Sequence, residues 1–263
     1  MDEINQPQQL GLAFSGGGAR GIAHLGVLAA LDELQLPIGH LAGVSSGAIA
    51  ATFYAAGVPP REILRMFQEV SLGQLTRISL SRYGLLRIDG VGKLFEQHLG
   101  LDATFEQLRI PLTLVATDIT EGISVHFSEG LLIPPLLASS AVPVLYRPVE
   151  YQGRHLVDGG LLNNLPTDAL VGLPGLQIVG VHSNPPHREP RITTLRGLIE
   201  RTLNLAVGAN TLPSKQHCAL LLEPPELGAY RMTQYKRAPE LFDIGYRHTL
   251  GRAAELHALL QPS

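Results

Sequence analysis

"FSGGGARGIAHLGVL", residues 14–28, sets three consecutive glycines where a short apolar stretch gives way to a helical pattern. Upstream, residues 10–14 ("LGLAF") predict a buried strand, and downstream, residues 19–34 predict an amphipathic helix. Gly16, Gly17, Gly18, Ala19, Arg20 and Gly21 together satisfy G-x-G-x-x-G, the spacing of dinucleotide-binding loops. A dinucleotide site also needs an acid about 20 positions on, at the end of the second strand, to hold the ribose. Here the second strand, "HLAGVS" (40–45), ends in Val44-Ser45. Asp32 and Glu33 lie inside the first helix, and no acid follows until Glu62. No Gly-Lys-Ser/Thr is present either, which excludes a Walker loop. A nucleotide-binding oxidoreductase therefore stands only as the alternative reading, to be tested by titration with NAD or NADP.

One glycine would serve a tight turn. Several in a row at a helix N-terminus expose backbone N–H groups toward one point, which makes an anion site. The anion can be transient: the tetrahedral oxyanion of ester cleavage is stabilised by the same prearranged donors. The second strand supplies a matching nucleophile. "GVSSG", residues 43–47, is Gly43-x-Ser45-x-Gly47, the elbow pattern that lifts a serine to a helix N-terminus on a sharp strand-to-helix turn. The N–H of Ser46 can join the oxyanion donors.

Around these motifs, strands predicted at 111–118, 122–128, 155–158 and 176–183 alternate with helical stretches at 46–57, 60–70, 91–99 and 131–141, and the tail from Arg191 reads as helical. The pattern predicts an α/β fold of three layers, a largely parallel central sheet flanked by helices. We expect residues 1–9 to form a flexible tail and residues 10–263 one domain. The chain of 263 residues is 45% hydrophobic and 16% charged, so it can bury a sizeable core. A net charge of −3 argues against nucleic-acid binding by bulk charge. Cys218, the single cysteine, excludes an intrachain disulfide. "MDEINQPQQ" has neither the basic end nor the apolar run of a secretory signal, and the most apolar stretch, from Leu131, is short and broken by prolines. A cytoplasmic protein is expected. Peripheral contact with the inner face of the membrane and self-association stay open.

The serine needs a proton acceptor. His182, His187, His217, His248 and His257 follow it, none within a motif that marks a base. The α/β-hydrolase order also fits poorly, because several strands precede the elbow there and only one does here. In "HLVDGG", residues 155–160, Asp158 ends an apolar strand, which would place its carboxylate at the C-terminal edge of the sheet, where ligands of open α/β sheets bind. The competing reading is an aspartate that opens a turn before glycine. His24 is read as packing locally, Asp118 as a structural loop anchor, and Asn163 and Asn164 as holding the turn after Asp158. Residues 71–88 carry Arg77, Arg82 and Arg87 among Leu, Ile and Tyr, with no acid. Residues 71–92 are read as a lid or membrane-contact segment, with an ordinary solvated basic face as the alternative.

The order of "SGGGARG", "GVSSG" and "DGG" resembles the patatin-like phospholipases, in the short, single-domain bacterial form. Weaker similarity lies in "VATDITEG" (115–122), "ASSAVPVLYRPV" (138–149), "NNLP" (163–166) and "LFDIGYRH" (241–248). The resemblance implies a serine acyl hydrolase acting on lipid or related carboxylic esters through a Ser–Asp dyad and an acyl-enzyme, with no catalytic histidine, cofactor or metal. Ser45 would be the nucleophile and Asp158 the base. The backbone N–H groups of Gly16, Gly17, Gly18 and Ala19 would form the oxyanion hole, and Arg20 stands where such proteins carry Arg or Lys. A member kept as a regulatory or binding module would look the same.

Overall fold

The computed structural model describes residues 8–69, 77–81, 84–87, 89–186 and 192–261. Strand β1 (Gln9–Phe14) passes through a 3₁₀ turn into α1 (Ile22–Glu33), β2 (Ile38–Gly43) and α2 (Ser46–Ala55). Then come α3 (Pro60–Glu69), β3 (Arg77–Ser81), β4 (Gly84–Arg87) and α4 (Asp89–Leu99). The second half holds β5 (Leu112–Asp118), β6 (Ile123–Phe127), α5 (Ile133–Ser139), β7 (Val149–Tyr151), β8 (Arg154–Asp158) and β9 (Leu176–Val181). It closes with α6 (Leu195–Lys215), β10 (Leu220–Leu222), α7 (Ala238–Leu250) and α8 (Ala253–Leu259). Gln9 of the expected tail already lies in β1. Residues 1–7 lie outside the described residues. So do 71–76, 82–83 and 88 of the expected lid, whose remaining backbone forms the antiparallel pair β3–β4 and the first residues of α4.

Eight strands make the central sheet. β10, β9, β1, β2 and β5 pair in parallel, as alternating strands and helices predict, and β6, β7 and β8 add an antiparallel side. Side chains alternate across it. Leu10, Leu12, Phe14, Leu41, Val179 and Val181 join the large core, whereas Ala13 and Ala42 face a smaller one with Leu165 and Leu170. Helix α1 is apolar over most of its circumference and buried accordingly, from Ile22 to Leu28 without a break. Among the described residues no helix is long and apolar enough to cross a membrane.

Two features of register position the site. Phe14 of the central β1 is level with Gly43 of β2 on one side and Val181 of β9 on the other. The segments beginning at Ser15, Val44 and His182 therefore leave the sheet side by side. On β5, strand β6 takes one edge along Leu114–Asp118, so β2 and β8 share the other. β2 pairs with Leu112–Leu114, and β8, running the opposite way, pairs with Ala116–Asp118. The ends of β2 and β8 thus approach each other head to head, with Val115 level with the gap between them.

Candidate active site

Ser45 and Asp158 leave the two strand ends on either side of that gap, near enough for the Ser45 hydroxyl to favour the charged form of the Asp158 carboxylate. The sequence-based reason for placing Asp158 here was incomplete. It assumed a strand ending at the C-terminal edge of a parallel sheet, whereas β8 is antiparallel and reaches Ser45 by stopping short, at the level of Ala116.

Ser45 sits at φ 55°, ψ −124°, a conformation that non-glycine residues rarely hold, as the N-cap of α2. The elbow glycine Gly47 is required by close approach: a Cβ there would lie 2.5 Å from the Phe14 carbonyl oxygen and 2.6 Å from that of Ser15. At Gly43 it would press on the backbone of Gly47 and Ala48. Elbow and glycine loop are packed backbone to backbone. Asp158 is only 7% exposed, and its Oδ1 accepts the Gly160 N–H at 2.8 Å. Burial pushes its pKa up to about 6, while the Ser45 hydroxyl and the Gly160 N–H pull the other way by favouring the charged form.

The glycine loop departs from expectation. The space a side chain would need at Gly16, Gly17 and Gly18 is filled by Asn164 Oδ1, Ser183 Oγ and the Met232 carbonyl. Crowding by the protein itself, with φ +56° at Gly18, is what demands glycine there. The Ala19 N–H donates to Met232 O at 2.8 Å, so it is already engaged. Three donors, the Ser15 and Ser183 hydroxyls and the Asn184 amide, converge on the Gly16 carbonyl at 3.0, 3.1 and 2.6 Å. In a trans peptide the N–H points opposite to the C=O, so they turn the Gly17 N–H the other way. Ser46 opens α2, where an N–H has no intrahelical acceptor.

The remaining expectations can be placed as well. His24 is fully buried, packs edge-on against Phe14 and bonds Ser15 O through Nε2 at 2.8 Å. Burial pushes its pKa down to about 4, so it is neutral and structural. Arg20 is buried, donating to Tyr230 O at 2.7 Å and to Asn184 Oδ1 at 3.3 Å. Asp118 accepts the Thr120 and Glu121 amides and pairs with Arg154. Asn163 bonds Asp168. The Asn164 N–H donates to Asn210 Oδ1, and the Asn210 amide donates to Gly160 O and Leu161 O, each at 3.0 Å.

Sequence reading passed over Ser139, Ser183, Asn184 and Asn210. They act through hydrogen bonds to residues far along the chain, and only Ser139 lies in a stretch already singled out, "ASSAVPVLYRPV".

Residues 12–171 match the family described as patatin-like phospholipase. An NTE family protein of Mycobacterium tuberculosis is 37% identical over 176 residues, covering 63% of this chain and 46% of that protein. A second one from the same species is 33% identical over 222 residues, 81% of this chain and 38% of the other. The chain thus spans less than half the length of these relatives. Lysophospholipase NTE1 of Kluyveromyces lactis is 25% identical over 92% of this chain and 19% of its own length. Among solved structures, VipD from Legionella pneumophila superimposes with a TM-score of 0.64 at 15% identity, over 95% of this chain and 67% of that one, a likeness of fold.

Proposed function

The chain belongs to the patatin-like phospholipase family, and from that premise we propose that it is a serine acyl hydrolase cleaving carboxylic esters of lipids. The observation that carries this reading is the meeting of Ser45, at the N-terminus of α2 beside the glycine loop, with the buried Asp158 carboxylate at the facing ends of β2 and β8. Asp158 accepts the Ser45 proton as Oγ adds to the ester carbonyl. An exposed aspartate, with a pKa of about 3.9, would be a weak base. A value of about 6 leaves Asp158 ionised at neutral pH and more basic than that.

The oxyanion is held by the N–H groups of Gly16, Gly17, Gly18 and Ser46. Ala19 drops out of the set because its N–H is spent on Met232. As the tetrahedral species collapses, Asp158 returns the proton to the leaving alcohol and Ser45 keeps the acyl group. Water then adds to the acyl-enzyme, losing its proton to Asp158, which passes that proton to Ser45 Oγ as the acyl–Oγ bond breaks and the acid leaves. Removing one oxyanion donor costs on the order of 3 kcal/mol of transition-state stabilisation.

The test is covalent. A fluorophosphonate probe should label Ser45, located by peptide mass, with labelling suppressed in Asp158→Asn. Esterase activity retained by purified Ser45→Ala would refute the assignment. The name of the Kluyveromyces relative makes lysophospholipids the first substrates to assay. Contact with lipid through the basic and apolar residues 71–88 belongs to the same proposal. It predicts sedimentation with anionic vesicles over neutral ones, and equal, negligible binding to both would end it.

A further inference from the structure

Both members of the pair are held at the backbone by one short segment at the end of α5. The Ser45 N–H donates to Ser139 Oγ at 3.0 Å, and the Asp158 N–H donates to Ala141 O at 2.9 Å. The Ser139 hydroxyl also donates to Val115 O at 2.7 Å. Val115 is the β5 residue at the gap between the ends of β2 and β8, and its carbonyl faces that gap, since a Cβ on Gly159 would meet it. Among the described residues no partner strand bridges the gap, and the fully buried Ser139 hydroxyl fills it.

A hydroxyl has one proton. With that proton committed to Val115 O, Ser139 can meet Ser45 only as an acceptor, and its orientation is set. The Ser45 N–H belongs to a residue held at positive φ, so the bond to Ser139 constrains a peptide that the local backbone would otherwise relax. Turning that peptide swings the Ser45 side chain relative to Asp158.

We propose that Ser139 is a positioning residue for the reaction: by accepting the Ser45 N–H from a hydroxyl anchored on Val115, it aims Ser45 Oγ at the Asp158 carboxylate. The inference rests on the Ser45–Asp158 reading above, and its test separates the two.

Ser139→Ala and Ser139→Cys are compared with wild type, Ser45→Ala and Asp158→Asn on a soluble chromogenic ester, with Tm recorded for each. Cysteine preserves the volume and gives up most of the acceptor strength. Both Ser139 variants are expected to lose roughly 10- to 100-fold in kcat with KM within about twofold, the signature of misplaced reacting groups. The Ser45 hydroxyl opposes the upward push of burial on Asp158. Displacing it should therefore move the rising limb of the pH–rate profile above about 6. Ser139→Thr, which keeps a hydroxyl, should recover most of kcat and return the limb. A purely structural serine would lower Tm and leave both the limb and the kcat-to-KM split untouched.

Either Ser139 variant showing kcat within about twofold of wild type and an unmoved limb overturns the inference. So does misfolding of both variants, which would assign Ser139 to the fold alone. Activity in Ser45→Ala would instead remove the reading underneath.

Discussion

At Ser45 a single residue combines backbone strain, the proposed nucleophile and the N-cap position of α2. Its φ of 55° suits glycine, and holding a side chain there costs on the order of 1–3 kcal/mol. Ser45→Gly should consequently be more thermostable than Ser45→Ala by about 1 kcal/mol, and the proposed mechanism makes both inert. Differential scanning calorimetry of the two proteins decides it, and equal midpoints would mean that the elbow carries no strain. The same logic explains why Gly47 admits no side chain: two carbonyl oxygens of the β1 end occupy its Cβ direction. Ser139 contributes at this scale by supplying one acceptor and one donor where two strands stop.

At the scale of elements, the glycine loop depends on how α1 is seated, because α1 begins directly after it. Helix α1 crosses α7 at a contact that two glycines make possible. A Cβ on Gly26 would strike Phe242 O, and one on Gly245 would strike Ala23 O. Gly26→Val or Gly245→Val should push the helices apart and cost roughly 1–3 kcal/mol, with a matching fall in the urea midpoint. Since α1 carries the loop, kcat should fall together with stability. Helix α6 has a comparable hold on the other side of the site, where Asn210 reaches back to the turn after Asp158.

For the whole molecule, pH couples the site to the fold through two buried groups with opposite signs. His24 is pushed down to about 4 from 6.5, so the unfolded chain binds its proton more readily. Its contribution to stability is complete above 6.5 and is lost as pH falls toward 4. Asp158 is pushed up to about 6 from 3.8, so the folded chain binds its proton more readily. That contribution is complete below 3.8 and is lost as pH rises through 6. Each is worth on the order of 3 kcal/mol, and over much of this acidic window the two slopes oppose each other. Asp158→Asn removes one of them. The variant should gain about 2–3 kcal/mol over wild type at pH 8, nothing at pH 3.5, and unfold more steeply in acid. Chemical denaturation across pH measures this, and a gain independent of pH would remove the buried carboxylate from the account. Wild-type kcat/KM should rise with pH through about 6, as Asp158 ionises, and level off above it.

Local physics made much of this legible in the amino acids alone. The strand–glycine–helix start, the Gly43-x-Ser45-x-Gly47 elbow and the alternating elements depend on neighbours in the chain, and the α/β class and the family resemblance follow from them. The short edge strands β7 and β10 were not legible, because three residues carry too little pattern. Nor was the direction of β8, since an apolar run ending in aspartate reads alike in either orientation. The reason three glycines follow β1 also came from elsewhere: Asn164, Ser183 and Met232 crowd them, and all three are distant in sequence. Tertiary structure alone decided how Ser45 meets Asp158. Two strands that share one edge of β5 must stop short of each other, and the buried hydroxyl that fills the space between them comes from a helix far along the chain. Periodicity records which face of an element is apolar, but the level at which two strands end against a third is set by pairing across the sheet.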